Sequence, residues 1–423
     1  MTPELLAPAG DRRALRAALA AGADAVYFGL ERWSARAFAG NFALEHAVEA
    51  VELAHLYGAR AHLALNTALK DDEVEPALAA LEAAYAAGLD ALIVADLGFA
   101  ARAREEYPGL PLHASTQMNT HSSAQLAALA GLGFDRAILA RELSLDEIAA
   151  LEAHGLELEA FVHGALCYGY SGDCLLSSMV GGRSGNRGRC SQSCRMRYGV
   201  SVQGSSGGGS SGGGSSGGDS GGEGPAAAGA GAVHGAPAAR VMSTADLCAI
   251  GALPQLLAAG VRSFKIEGRM KDAAYVAVTT SVYREALDAA AADPYGYRVL
   301  PVWLERLEQA FSRGFTAAHL EGRHHEVRSG GRGGHRGVLV GRVERIGESG
   351  GAVIVRLAKP VAEGDTLAVY TPWGQTEPFR APETAADRLT LRLRERVAVK
   401  DRVFRLAAAE ADALAHDLVA GRA

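Results

Sequence analysis

At 423 residues, 48% of them apolar, the chain is long enough for a large core and for two domains. Its formal net charge of −6 excludes a protein that coats nucleic acid by bulk charge, though not one with a local basic patch. No apolar run approaches bilayer-spanning length, and the opening MTPELLAPAGD lacks a charged segment leading into an apolar one, so a cytoplasmic chain with reduced thiols and no membrane association is expected.

The first part repeats one unit, a short apolar run followed by an Ala/Leu-rich amphipathic segment. The runs are Glu4–Ala7, Asp24–Gly29, Arg60–Asn66, Asp90–Asp96, Pro111–Ser115, Arg136–Ala140, Glu157–His163 and, after a long interruption, Val261–Glu267. Several are apolar on both faces, as parallel strands covered by helices should be. The segments between them predict helices over Leu44–Tyr57 and Asp71–Ala87, and Ser144 reads as a helix cap. The pattern predicts an α/β fold, a (β/α)8 TIM-like barrel. An open doubly wound sheet is the alternative, but Ala9-Gly10-Asp11 has a single glycine where a dinucleotide-binding turn needs several. In such barrels the chemistry sits where strands end, and the ends here carry Glu4, Asn66, Asp96, Ser115, Gln117, Arg141, Glu142, His163, Lys265, Glu267 and Arg269. His163 is read either as an acid/base or as a satisfied strand-end histidine.

Next comes CYGYSGDCLLSSMVGGRSGNRGRCSQSC, with Cys167, Cys174, Cys190 and Cys194 spaced C-x6-C-x15-C-x3-C. Arg183, Arg187, Arg189, Arg195 and Arg197 crowd the same stretch, and positive charge favours the metal-binding thiolate. Three readings stay open on spacing alone: an iron–sulfur cluster, a structural zinc site, and ordinary buried thiols. The basic loop Ser184–Arg189 reads either as a phosphate-binding surface or as a solvated loop whose arginines balance the charge of a cluster. Cys248 lies apart and reads as a small apolar residue on a helix face, with a substitute ligand as the alternative.

Residues 203–239 are Gly/Ser- then Ala/Gly/Pro-rich and predict a structureless surface excursion. Helical patterning resumes over Thr244–Ala259, with Asp246 in its first turn, and a long helix is expected over Ala273–Ala291. From Gly337 the pattern turns to β: Gly337–Ile346, Ala352–Leu357, Asp365–Tyr370, Arg388–Leu393 and Arg402–Leu406, then a closing helix Ala407–Val419. The organisation expected is a barrel over 1–295 carrying the cysteine stretch 167–194 and the insertion 203–239, a helical connector over 296–336, and a small antiparallel β-barrel with its helix over 337–423.

The residues FVHGALC-x6-C, then GRSGNRGRCSQSCR, resemble the signature of peptidase family U32, the collagenase-like proteases. The resemblance extends through ELLAPAGD, GADAVYFG, ALNT, DALIVAD, HASTQMN, ILARELSL and SFKIEGRMK. It implies an iron–sulfur protein, with a cluster of the [4Fe–4S] type on Cys167, Cys174, Cys190 and Cys194. It also implies an enzyme of the RNA-hydroxylase branch, which makes 5-hydroxypyrimidines in tRNA or rRNA with prephenate as co-substrate. The same resemblance makes Arg141, Glu142, Lys265, Glu267 and Arg269 pocket residues, and allows for a partner chain of the same family. The rival readings are a peptidase and a non-catalytic, metal-stabilised RNA-binding module. Against the peptidase, the sequence has no H-E-x-x-H, and its G-x-S-x-G match at Gly204–Gly208 falls inside the Gly/Ser tract.

Overall fold

The computed structural model describes residues 3–199, 240–329, 334–335, 337–347, 352–372 and 374–420. The insertion expected at 203–239 lies outside them. Among the described residues, no helix is long and apolar enough to cross a membrane.

Seven strands pair in parallel in chain order: β1 (Glu4–Pro8), β2 (Ala25–Phe28), β3 (Arg60–Leu65), β4 (Ala91–Val94), β5 (Leu112–Ala114), β6 (Arg136–Ile138) and β7 (Glu157–Ala165). After them, β8 (Asp246–Cys248) runs antiparallel to the end of β7. An eighth parallel strand, β9 (Val261–Ile266), pairs with both β7 and β1 and closes the barrel, with Lys265 opposite Phe161 on one side and Leu6 on the other. Strand β1 is buried along its whole length, because helices cover the outside and side chains fill the inside.

The covering helices are α1 (Arg12–Ala20), α2 (Leu44–Leu56), α3 (Asp71–Ala86), α4 (Leu97–Glu106), α5 (Ser123–Gly131) and α6 (Leu145–Ala149). Short polar side chains set their starts: Asp11 accepts from the Ala14 amide at 2.8 Å and Asp96 from the Phe99 amide at 3.0 Å. Ser144 and Glu147 cap α6 reciprocally, as the sequence predicts for Ser144. Then come α7 (Leu176–Gly181) in the cysteine stretch, α8 (Leu253–Ala258), and α9 (Ala273–Ala292), which lays Val276, Val282, Tyr283 and Leu287 against the barrel. Each such fully buried apolar side chain stabilises the fold by roughly 1.5–3 kcal/mol.

Two readings of local structure are corrected. The helix expected over Thr244–Ala259 is strand β8, a short turn and the six-residue α8. Asp246 is buried in that strand and accepts from the Arg313 guanidinium and amide, a long-range partnership that outweighs local helical pattern. The second correction is at β7, whose register against β9 shifts between Phe161 and His163. The extra residue, Val162, turns His163 from the barrel interior to the helix layer. The Tyr283 hydroxyl of α9 donates to the Val162 carbonyl at 2.7 Å and satisfies the bulged backbone.

Beyond α9, α10 (Pro301–Ala310) leads to β10 (Phe315–Thr316), which pairs with β8. The remaining strands are β11 (Val338–Ile346), β12 (Ala352–Leu357), β13 (Thr366–Thr371), β14 (Gly374–Gln375), β15 (Phe379–Arg380), β16 (Arg388–Arg392) and β17 (Arg402–Ala407). They form a separate curled antiparallel sheet, a half-barrel, with its own core of Val340, Val355, Val369, Leu389 and Val403. The last helix, α11 (Ala409–Ala420), packs against α1 and α9 of the large barrel rather than closing the sheet.

Candidate active site at the barrel mouth

The period-two alternation of the strands decides what faces inward. On β3 it aims His62 and Ala64 into the barrel, and on β9 Ser263 and Lys265. The lower interior is ionic. Arg136 donates to Glu4 at 2.5 Å and to Glu159 at 3.0 Å, Ser263 donates to Glu4 at 2.7 Å, and Arg60 reaches Glu4 from outside. His62 and His113 stack edge to face beside this network, and burial pushes His62 down to about 4, so it is neutral there. Glu4, which the sequence places among the strand ends, thus belongs to the opposite end of the barrel from the mouth.

Above this network is a cavity of about 100 Å³ lined by Tyr27, Arg36, Asn66, Arg141, Phe161, Lys265, Glu267 and Arg269. Glu267 accepts from Arg36 at 2.8 Å and from Arg141 at 2.6 Å. Burial would raise its carboxyl, but Arg36 and Arg141, with Arg269 behind them, outweigh burial and hold it down to about 2. Lys265 donates to Glu159 at 2.9 Å and sits 4.2 Å over the Tyr27 ring; burial lowers its pKa and Glu159 opposes the fall. Arg269 donates to Ser34 at 2.7 Å, and burial pulls its guanidinium down to about 10. The Nε atoms of Arg141 and Arg269 are buried without a hydrogen-bond partner. Asn66 donates to Ser115 at 3.0 Å and accepts from the Ala35 amide, fixing the opposite wall.

The cysteine stretch caps this cavity, and Cys167, Cys174 and Cys190 line it. All four cysteines of the stretch are free thiols. Burial raises the Cys194 thiol, and Cys167, Cys190 and Cys174 lie near enough to raise it further against the pull of Arg195. Among the described residues, no three Cys, His, Asp or Glu side chains are grouped as a single metal ion requires. The stretch is seated by backbone contact. Gly172 has φ +92°, and a Cβ there would lie 2.1 Å from the Gln117 carbonyl oxygen; at Gly188, φ +75°, it would lie 2.0 Å from that of Ser34.

Of the predicted site residues, Arg141, Lys265, Glu267 and Arg269 share the cavity with three of the cysteines. His163 does not. It is 1% exposed among Tyr275, Tyr283 and Phe315, 3.3 Å from the Tyr283 hydroxyl, and burial holds it down to about 4. Glu142 faces a neighbouring cleft instead, and Asp96 is occupied as a cap. The five arginines divide. Arg187 grips Glu73 with both terminal nitrogens, at 2.6 and 2.8 Å, and Arg195 is spent on Leu166, Ser243 and Thr244. Arg183, Arg189 and Arg197 are exposed. Cys248 is on β8, opposite His163 and 3.8 Å from the Tyr283 hydroxyl, away from the other cysteines. Arg36, Tyr27 and Tyr170 line the cavity and were not singled out in the sequence. Tyr27 is the last but one residue of the run DAVYF and was legible as inward-facing by alternation, whereas Arg36 sits in a loop with no motif around it.

A family model described as peptidase family U32 matches residues 10–329. The 23S rRNA 5-hydroxycytidine C2501 synthase of Escherichia coli is 36% identical over 373 residues, covering 86% of this chain and 52% of that protein. The chain therefore spans about half the length of that relative. The tRNA hydroxylation protein P of Escherichia coli is 33% identical over 399 residues, 88% of this chain and 87% of the relative. A protein named as an uncharacterized protease, from Methanocaldococcus jannaschii, is 34% identical over 379 residues, 86% of each chain.

Proposed function

The chain belongs to peptidase family U32, and from that premise we propose that it hydroxylates position 5 of a pyrimidine in RNA, with uridine of tRNA as the leading substrate and prephenate as co-substrate. One observation carries the reading: three of the cysteines line the same cavity as Arg36, Arg141, Lys265, Glu267 and Arg269. The names of the Escherichia coli relatives support RNA as the substrate.

Cys167, Cys174, Cys190 and Cys194, four thiols in one short stretch with three of them lining one cavity, are a donor set that fits an iron–sulfur cluster. Held by these four residues, a cluster of the [4Fe–4S] type would supply the electron-transfer chemistry that oxidation of a pyrimidine ring requires. The rest falls to this chain's own side chains. Four cations, Arg36, Arg141, Lys265 and Arg269, face two carboxylates, Glu159 and Glu267, so the pocket carries a surplus of two positive charges before any on the cysteines. That surplus, and the two unpartnered Nε–H donors of Arg141 and Arg269, suit a dicarboxylate such as prephenate. Glu267 holds Arg36 and Arg141 in place and stays ionised at any physiological pH. The exposed Arg183, Arg189 and Arg197 would hold phosphates of an unpaired RNA segment. The protein so read is cytoplasmic and acts on tRNA or rRNA, alone or with a second chain of its family.

The test is mass spectrometry of RNA from a strain lacking the gene, with and without the gene restored. Loss of one 5-hydroxypyrimidine, its return on complementation, and its dependence on prephenate in a purified reaction are expected. Persistence of every hydroxylated pyrimidine, with no paralogue present, overturns the reading. Relatives named as proteases define the alternative, which predicts turnover of denatured collagen by protein stripped of its four cysteines.

A further inference from the structure

Beside the charged pocket is a second cleft that the proposed chemistry leaves unused. Its volume is about 630 Å³, against about 100 Å³ for the pocket. Its walls come from stretches far apart in sequence: His121, Glu142, Tyr168, Tyr170, His319 and His324. Tyr170 lines both cavities, so the two are neighbours across one side chain.

The cleft offers donors, acceptors and ring faces. His121 Nδ1 lies 2.6 Å from the Asn119 carbonyl oxygen. A carbonyl only accepts, so Nδ1 carries the proton and Nε2 keeps a lone pair. His319 Nδ1 lies 2.8 Å from His324 Nδ1. Of two neutral imidazoles so placed, one donates and the other accepts, so the pair offers one Nε2–H and one bare Nε2. Glu142 Oε2 is buried and has no hydrogen-bond partner, so it is an open acceptor aimed at the cleft, and burial raises this carboxyl above its ordinary value. The Tyr170 ring is 56% exposed and lies within 22° of parallel to His121, their centroids 6.5 Å apart.

Exposed ring faces beside a mixed set of donors and acceptors are what an unpaired nucleobase requires, stacking on one face and hydrogen bonding along its edge. Among the described residues, the cleft has no surplus of fixed positive charge for a phosphate, because its one arginine, Arg328, is set against Glu142 and Glu147. We propose that this cleft seats one unstacked pyrimidine of the RNA, with Tyr170 as the stacking platform and Glu142 and the His319–His324 pair reading the base edge. The inference rests on RNA being the substrate. It places that base one side chain away from the pocket lined by Cys167, Cys174 and Cys190.

The experiment uses the full chain, purified without oxygen, and a fluorescein-labelled tRNA transcript read by anisotropy. Tyr170→Ala and Glu142→Ala are each expected to weaken binding tenfold or more, with melting temperature and iron content unchanged. Glu142→Gln, which keeps a carbonyl acceptor in the same place, should stay within about threefold of wild type. A transcript whose loop pyrimidines are made abasic should lose the same factor with wild-type protein and nothing further with Tyr170→Ala. Wild-type affinity in both alanine variants overturns the proposal, and so does failure of the wild type to bind tRNA. If affinity depends on Tyr170 and Glu142 but no pyrimidine is hydroxylated, the cleft stands as an RNA site and the hydroxylase reading fails. If hydroxylation is present and both variants bind and turn over as wild type, the cleft assignment alone fails.

Discussion

Lys265 and Glu159 form an ion pair inside the barrel, Nζ to Oε1 2.9 Å, with both side chains almost wholly buried. Glu159 also accepts from Arg136 and Ser263, so one carboxylate joins the floor of the mouth to the ionic network below it. Glu159→Gln leaves Lys265 buried without a counter-charge. Breaking a buried pair from one side costs roughly 3–5 kcal/mol, and a loss of that order is expected in urea unfolding at pH 7. Removing both charges, in Glu159→Gln with Lys265→Met, should restore part of it. A Glu159→Gln variant as stable as wild type would show that the buried carboxylate gives no net stability through Lys265, Arg136 or Ser263.

Glu267 predicts a pH dependence. Folding depresses its carboxyl from the ordinary 4.5 to about 2, because Arg36 and Arg141 outweigh burial. A depressed acid contributes stability that is fully present above its unfolded value and is lost as pH falls through its folded one. The window is therefore about pH 4.5 down to 2, and nothing between pH 5 and 8 should trace to this group. Glu4, also held down to about 2, contributes over the same window. Glu267→Gln should flatten the slope of stability against pH between 4.5 and 2 by about one proton, and should abolish hydroxylation at every pH. An unchanged slope in urea unfolding at a series of pH values contradicts the assignment of that proton to Glu267.

The barrel was legible in the sequence because each strand is a local apolar run, and a parallel strand covered on the outside and packed on the inside tolerates little else. The cysteines were legible for the same local reason, four within one short stretch. What the sequence hid is set at long range. The Val162 bulge, which turns His163 outward, shows only in the register between β7 and β9. Asp246 reads as a helix start until Arg313, which follows α10 in the chain, is seen beside it. Arg187 and Arg195 look like free phosphate ligands until Glu73 and the Leu166 and Thr244 carbonyls claim them. Arg36 carries no motif at all, and its role comes from Glu267, 231 positions away.

The cysteines should separate into two classes. Cys167→Ala, Cys174→Ala, Cys190→Ala and Cys194→Ala are each expected to lose bound iron and the broad absorbance near 400 nm of protein purified without oxygen. Cys248→Ala should keep both, because Cys248 lies on β8 against the Tyr283 hydroxyl, and should cost about 1 kcal/mol of packing at most. A colourless protein carrying one zinc per chain, with Cys248 required for it, would contradict the donor set proposed for iron.

The arginines of the cysteine stretch should also divide, by salt dependence. Arg187 ties the stretch to α3 through Glu73 and to the Ala68 carbonyl, so Arg187→Ala should loosen the seat of the cysteines. Its expected signature is lost iron and faster proteolysis within 167–199, with the salt dependence of RNA binding unchanged in any iron-loaded fraction. Arg183, Arg189 and Arg197 are exposed and should act on phosphates. Each contact to single-stranded RNA contributes about 0.7 to the slope of log K against log salt. The triple alanine variant should therefore keep its iron and its melting temperature while the slope falls by about 2. Counter-ion release depends on charge that meets phosphate, not on charge that holds the fold, so the two variants cannot exchange signatures if this division is right. A slope that falls for Arg187→Ala and holds for the triple variant would put the RNA on the α3 side of the mouth instead.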